Sequence, residues 1–299
     1  MKRFAGLLIV LSGIVWGLMG VFVRLFTQNG FSTVQLAAMR LSVATLLMVV
    51  LILCVRPSLL KISLKDLPLL CVLGILSIGV MGVLYFTTIR LSTLSAAAVL
   101  LYLSPGAVML MSALFFKEKI TPKKLLALGL AIGGCALVSG VVGGESVGVL
   151  ALLTGIGSAV TYGSYSIIGP VALKKHHPFT VTVYAFGAAA LFLLCLCRPA
   201  EMVKTITAQP SGWLFALQVL GLGLLTAFTP FLLYTLGLKH TPPSKAAVLA
   251  CSEPVAATVY GMIFFHEMPP LPAYIGMALV LGAIVLLSDM GKQKKDSRS

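Results

Sequence analysis

The sequence has 299 residues, 59% of them hydrophobic and 10% charged, with a formal net charge of +14. Soluble domains carry about a quarter of their residues charged, so this composition excludes a soluble enzyme or binding module and reads as an all-α polytopic membrane protein. The Lys and Arg residues sit in short clusters between apolar runs, as loop anchors do, so a nucleic-acid partner is not expected and the lipid bilayer is.

At about 20 residues per span, the apolar runs predict ten transmembrane helices near residues 4–26, 33–55, 66–88, 94–116, 122–142, 147–171, 178–197, 211–236, 243–265 and 270–289. The first run follows Met1-Lys2-Arg3 and is too long for a signal-peptide core, so it is read as a span. Breakers fall between or at the edges of the runs: Asn29-Gly30, Pro57, Thr121-Pro122, Gly143-Gly144, Pro178, Pro199, Pro210, Pro242-Pro243 and Pro269-Pro270. One side collects Lys2, Arg3, Arg56, Lys61, Lys65, Lys117, Lys119, Lys123, Lys124, Lys174, Lys175, Lys239, Lys245 and the basic tail 290–299, while the other keeps Arg90, Arg198 and Lys204. The positive-inside rule then predicts a plasma-membrane protein with both termini cytoplasmic. The cysteines lie in or at the ends of apolar runs and predict neither a disulfide framework nor a zinc site, so they are read as small packing residues.

The chain repeats itself. A shift of 149 positions lays Ala246-Ala247-Val248-Leu249 on Ala97-Ala98-Val99-Leu100, Pro254 on Pro105, and Phe264-Phe265-His266-Glu267 on Phe115-Phe116-Lys117-Glu118. Tyr85 falls on Tyr234 and Gly74 on Gly223 at the same offset, and Trp16-Gly17 meets Tyr162-Gly163 with a small shift. The expected units are 1–142 and 147–289, with five helices each. An odd number of spans inverts the second copy, giving two inverted five-helix repeats.

The residues that carry chemistry stand inside the apolar runs. Glu253 is a lone carboxylate halfway along the ninth helix, where charge is costly unless it faces a cavity or a partner. Pro254 beside it, and Pro105 after Ser104 in the fourth helix, are hinge candidates, each freeing a carbonyl one turn earlier, at Ala250 and Leu101. Trp16, Tyr85, Tyr162, Tyr165 and Tyr234 offer apolar faces with polar handles, suited to small amphipathic solutes or an ammonium group, and Ser158 adds a hydroxyl on the small, polar face of the sixth helix. Small residues such as Gly155 and Ser158 equally serve as packing between membrane helices, and Gly129-x-x-x-Gly133 reads as packing or a homodimer contact. Arg24 and Arg40 read first as residues that snorkel to the interface, Arg40 less so because it starts deeper; the alternative for both, with Arg90 in the loop beside them, is an outer vestibule that attracts carboxylates, and Arg40 could accept one. No nucleophile, base or phosphate-loop constellation is present, so neither an enzyme nor a cofactor is expected.

Two five-helix units, each with Leu-x-x-x-(Ser/Glu)-Pro, then Phe-Phe-x-Glu, then a Gly-containing last helix, resemble the EamA domains of the drug/metabolite transporter superfamily. Trp16-Gly17 and Met39-Arg40 also match that pattern, whereas Ser104 stands where the family usually has a Glu and Met19-Gly20 where many members have a polar residue. The resemblance implies a secondary transporter with a central cavity between the halves, walled by helices one to four and six to nine, moving a small-molecule substrate by alternating access. Amino acids and related compounds are the first expectation, and proton-coupled transport of amines or quaternary ammonium compounds such as choline is the second. A channel is the alternative from another class.

Overall fold

The computed structural model describes residues 4–140, 148–209 and 212–288. The expected basic tail 290–299, Lys2, Arg3, Gly143-Gly144 and Pro210 lie outside the described residues. Helix, with no strand, makes up the regular structure of the described residues. The helices are α1 (Ala5–Trp16 and Met19–Gln28), α2 (Thr33–Val55), α3 (Leu67–Leu91), α4 (Leu94–Leu101 and Ser104–Phe116), α5 (Pro122–Val138) and α6 (Val149–Leu173). They continue as α7 (Pro178–Leu196), α8 (Pro199–Thr207), α9 (Gly212–Leu238), α10 (Pro243–Leu249 and Ser252–Phe265) and α11 (Leu271–Ser288). Seven of these, α1 to α4, α7, α9 and α10, are long and apolar enough to cross a membrane. The 25-residue α6 is not among the seven, because Gly, Ser, Thr and Tyr dilute its apolar residues. The short α8, with Glu201 and Lys204 exposed, was not expected from the apolar runs.

Helix starts follow from local chemistry. Ser32 and Gln35 form a reciprocal capping box, the Gln35 N–H donating to Ser32 Oγ at 3.3 Å and the Ser32 N–H to Gln35 Oε1 at 2.9 Å. Thr93 and Thr121 cap α4 and α5 by accepting from Ala96 and Lys124 N–H at 3.2 and 3.3 Å.

The irregular features recur at the offset of 149. A π-helical turn interrupts α3 at Ile75–Val80 and α9 at Leu224–Phe228. Immediately before these turns, Gly74 lies so close to α7 that a Cβ would overlap the Ala185 carbonyl oxygen, and Gly223 so close to α2 that a Cβ would overlap Val43. Both α4 and α10 break halfway, and both end on a left-handed residue, Lys117 at φ 54° and His266 at φ 53°. The packing is paired in the same sense: α5 lies along α11, α2 along α7, α1 on the last part of α9, and α6 on the last part of α3. The α5–α11 contact is set by Gly134 and Gly276, where a Cβ on either would come within 2.7 and 2.5 Å of the other's carbonyl oxygen. Gly129 and Gly133, expected as a packing motif, have nothing within 4 Å of such a Cβ; the glycine that packs inside the chain is the next one along.

The loops sort onto two faces. On one, Lys175 Nζ lies 3.4 Å from Asp66, Thr180 and Tyr184 hydroxyls donate to the Leu59 and Leu60 carbonyls, and Ser244 reaches Glu118. On the other, Gln209 donates to the Asn29 carbonyl at 3.4 Å and Arg24 pairs with Glu267 at 2.6 Å. Arg24 also rests over the Phe265 ring at 4.2 Å. Cys135, Cys197 and Cys251 are buried, whereas Cys54 and Cys195 are exposed on the helix surfaces and do not pack inside the chain.

Candidate functional site

The broken helices meet at the centre. In α10 the chain turns at Ala250-Cys251, and the Ala250 carbonyl accepts the Glu253 N–H at 3.0 Å. That carbonyl was expected to be freed by Pro254; the turn re-satisfies it within α10. The corresponding turn in α4 is at Tyr102-Leu103, which places Pro105 second in the following half. In α1 an unforeseen break at Gly17-Leu18 follows Trp16, and the Ser252 hydroxyl ties the two broken helices by donating to the Val10 carbonyl at 2.9 Å.

Trp16 closes one end of an aromatic cluster. Its ring stands edge-on to Phe231 at 4.9 Å and tilts towards Tyr234 at 5.5 Å, and Tyr165 meets Phe231 at 5.5 Å. Two of the phenols are fixed: Tyr165 shares a hydrogen bond with Thr235 at 2.8 Å, and Tyr234 with Ser166 at 2.7 Å. These neighbouring residues bond crosswise between α6 and α9. Trp16, Ser104, Tyr162, Tyr165 and Tyr234 line a cavity of about 20 Å³ together with Ser77, Ser166 and Phe231. That volume holds little more than one water molecule. Ser158 is fully buried, donates to the Gly155 carbonyl at 2.6 Å and is not among the lining residues.

Beside this cluster lies a second group, built on charge. Arg40 on α2 and Glu253 on α10 interact electrostatically, and Glu253 also interacts with Tyr85 on α3, Tyr102 at the α4 break and Tyr162 on α6. The Arg40 guanidinium donates through Nη1 to the Met19 thioether at 3.1 Å, and its Nε is buried without a hydrogen-bond partner. A thioether is a weak acceptor. Arg40 is therefore an under-satisfied donor within electrostatic reach of Glu253. Tyr102 was not picked out from the sequence; its offset partner is Cys251, so the repeat gave no aromatic match to find it by.

A larger apolar cavity of about 410 Å³ lies apart from this centre, between α2, α7, α8 and α9.

Broken and apolar helices of this length define a polytopic membrane protein. The model of the EamA-like transporter family matches residues 3–140 and 149–289, and the chain belongs to that family. An uncharacterized transporter of Archaeoglobus fulgidus is 30% identical over 95% of this chain and 96% of its own length. The pseudopaline exporter CntI of Pseudomonas aeruginosa is 25% identical over 94% of this chain and 95% of its own, and a probable terminal-alkyne amino-acid exporter of Streptantibioticus cattleyicolor is 24% identical over 78% and 77%. A solved structure at 20% identity shares the fold with a TM-score of 0.79, covering 98% of each chain.

Proposed function

We propose that this protein is a secondary active transporter that moves small polar metabolites, foremost amino acids or related compounds, by alternating access. The carrying observation is Arg40, a buried guanidinium with an unpartnered Nε, within electrostatic reach of Glu253, which in turn interacts with Tyr85, Tyr102 and Tyr162. A guanidinium is shaped to receive a carboxylate in two parallel hydrogen bonds. A carboxylate with phenol rings nearby suits an ammonium group. Together they complement a zwitterion, and the exporters among the relatives, named for an amino acid and for pseudopaline, support that class. Glu253 is also the group through which a proton would couple to substrate movement, since protons and cations compete for one carboxylate.

In this reading the chain spans the membrane ten times as two inverted five-helix repeats, 1–142 and 147–289, with both termini cytoplasmic in the plasma membrane. The π-turns, left-handed caps and paired helix contacts at the offset of 149 support the repeat, and the two loop faces support the inversion. Pro105 and Pro254 sit where α4 and α10 bend.

A second reading, proton-coupled movement of an amine or quaternary ammonium compound such as choline, is supported by Glu253 and the aromatic cluster but leaves Arg40 without a role. Purified protein in liposomes, screened for counterflow with amino acids, amines and nucleosides, tests both. Saturable counterflow of a carboxylate-bearing solute is expected. Passage without trans-stimulation would replace the carrier by a channel.

A further inference from the structure

Glu118 and Glu267 occupy the same repeat position, each directly after a left-handed helix-ending residue, and their N–H groups donate to equivalent carbonyls, Ser112 at 3.3 Å and Gly261 at 3.4 Å. Their side chains are used very differently. Glu118 is 15% exposed and receives three donors: Lys124 Nζ at 2.7 Å, the Ser112 hydroxyl, and the hydroxyl of Ser244 at 2.6 Å. Ser244 opens α10, so this last bond fastens the second repeat to the first. Glu267 is 58% exposed and pairs only with Arg24 among the described residues.

The repeat offset names what Glu267 lacks. The counterpart of Ser244 is Ser95, at the start of α4, and no hydrogen bond joins it to Glu267 among the described residues. The helices agree: the first half of α10 packs along the second half of α4, whereas the equivalent pair, the first half of α4 and the second half of α10, makes no comparable contact. Thus α4 and α10 are closed together on the Glu118 face and parted on the Glu267 face.

We propose that Glu118–Ser244 and Glu267–Ser95 are two alternative latches, one at each membrane face, and that the conformational cycle exchanges them. This rests on the alternating-access reading above. Two inverted copies of one unit have two equivalent arrangements, each the other with the roles of the copies interchanged. In the present arrangement the Glu118 latch is made. In the other, Ser244 leaves Glu118 while Ser95 donates to Glu267. Lys124 and Ser112 keep Glu118 satisfied after Ser244 departs, so opening removes one charge-assisted bond and does not strand a buried carboxylate. The counterparts of these two on the other face are Ala273 and Gly261, so the Glu267 latch has fewer internal donors and is the weaker of the two.

The test places spin labels at cysteines introduced for Ser92 and Met268, which flank the Glu267 face, in a variant with the native cysteines replaced and reconstituted in liposomes. The parent shows mainly the long label distance. Ser244→Ala, which leaves the Glu118–Lys124 pair intact, and Glu118→Gln each raise the ratio of short to long distances by about tenfold, the effect of losing one charge-assisted bond. Ser95→Ala depletes the short population. Unchanged distances in correctly folded Ser244→Ala and Glu118→Gln overturn the latch. A protein that counterflows with unmoved distances loses the latch alone; one whose distances respond but that shows no counterflow keeps the latch and loses the transport reading.

Discussion

Lys117 and His266, 149 positions apart, end α4 and α10 in the same left-handed conformation, at φ 54° and 53°. Neither is a glycine, so both carry the steric cost of that region for a side chain with a Cβ. The cost recurs because it aims the following residue, Glu118 or Glu267, back across the helix end. The same backbone device thus presents a carboxylate at each face, and the neighbouring residues decide how tightly it is held.

Acid should weaken the protein through Glu118. Burial raises its carboxyl, but hydrogen bonds from Lys124, Ser112 and Ser244 and the Lys124 charge outweigh that and hold it below the ordinary 4.5. A depressed carboxyl contributes stability in full above its unfolded value, lost as pH falls through the lower folded value. Wild type should therefore unfold at a higher temperature than Glu118→Gln at neutral pH. The gap should narrow below about pH 4.5, as followed by thermal unfolding in detergent.

Neighbouring glycines on α5 should respond oppositely to enlargement. Gly134→Val drives side-chain atoms into the Gly276 carbonyl and should destabilise by about 1–3 kcal/mol or separate α5 from α11. Gly133→Ala meets open space and should stay within about 0.5 kcal/mol of wild type. Thermal unfolding of the two variants side by side checks this.

Glu253→Gln keeps the size of the side chain and removes its charge and titration. If Glu253 couples protons or holds an ammonium group, counterflow by this variant should lose its pH dependence or its preference for amines while the protein still inserts. A wild-type rate with an unchanged pH profile assigns Glu253 a structural role.

Arg40→Gln should erase discrimination between an amino acid and the amine that lacks its carboxylate. Loss of charge-assisted hydrogen bonds predicts a fall of roughly tenfold to a hundredfold in the preference ratio, measured by competition in counterflow. Equal preference in wild type and variant would leave Arg40 as a partner for Glu253 only.

Reporter fusions after Ser32 and after Lys175 should fall on opposite sides of the membrane. Both on one side would remove the inversion of the second repeat.

Much of this architecture was legible in the sequence, since a bilayer tolerates only long apolar helices between charged loops, and a duplicated unit keeps its punctuation. The runs, the proline breaks and the offset that pairs Glu118 with Glu267 all follow from that constraint. The two π-turns were not legible, because their residues remain helical and apolar and only the hydrogen-bond register changes. Arg40 and Glu253 could each be picked out as charges in apolar surroundings, but their coming within electrostatic reach of one another depends on how α2 and α10 rotate against their neighbours, which packing alone fixes. The same holds for Gly134 over Gly133: both are glycines on α5, and only the approach of Gly276 distinguishes them. The sequence by itself determined a duplicated, helical membrane protein; the tertiary structure decided which charges pair, which glycines bear a crossing, and which helix halves pack together. Those choices depend on contacts between residues far apart in the chain, which no local pattern of residues encodes.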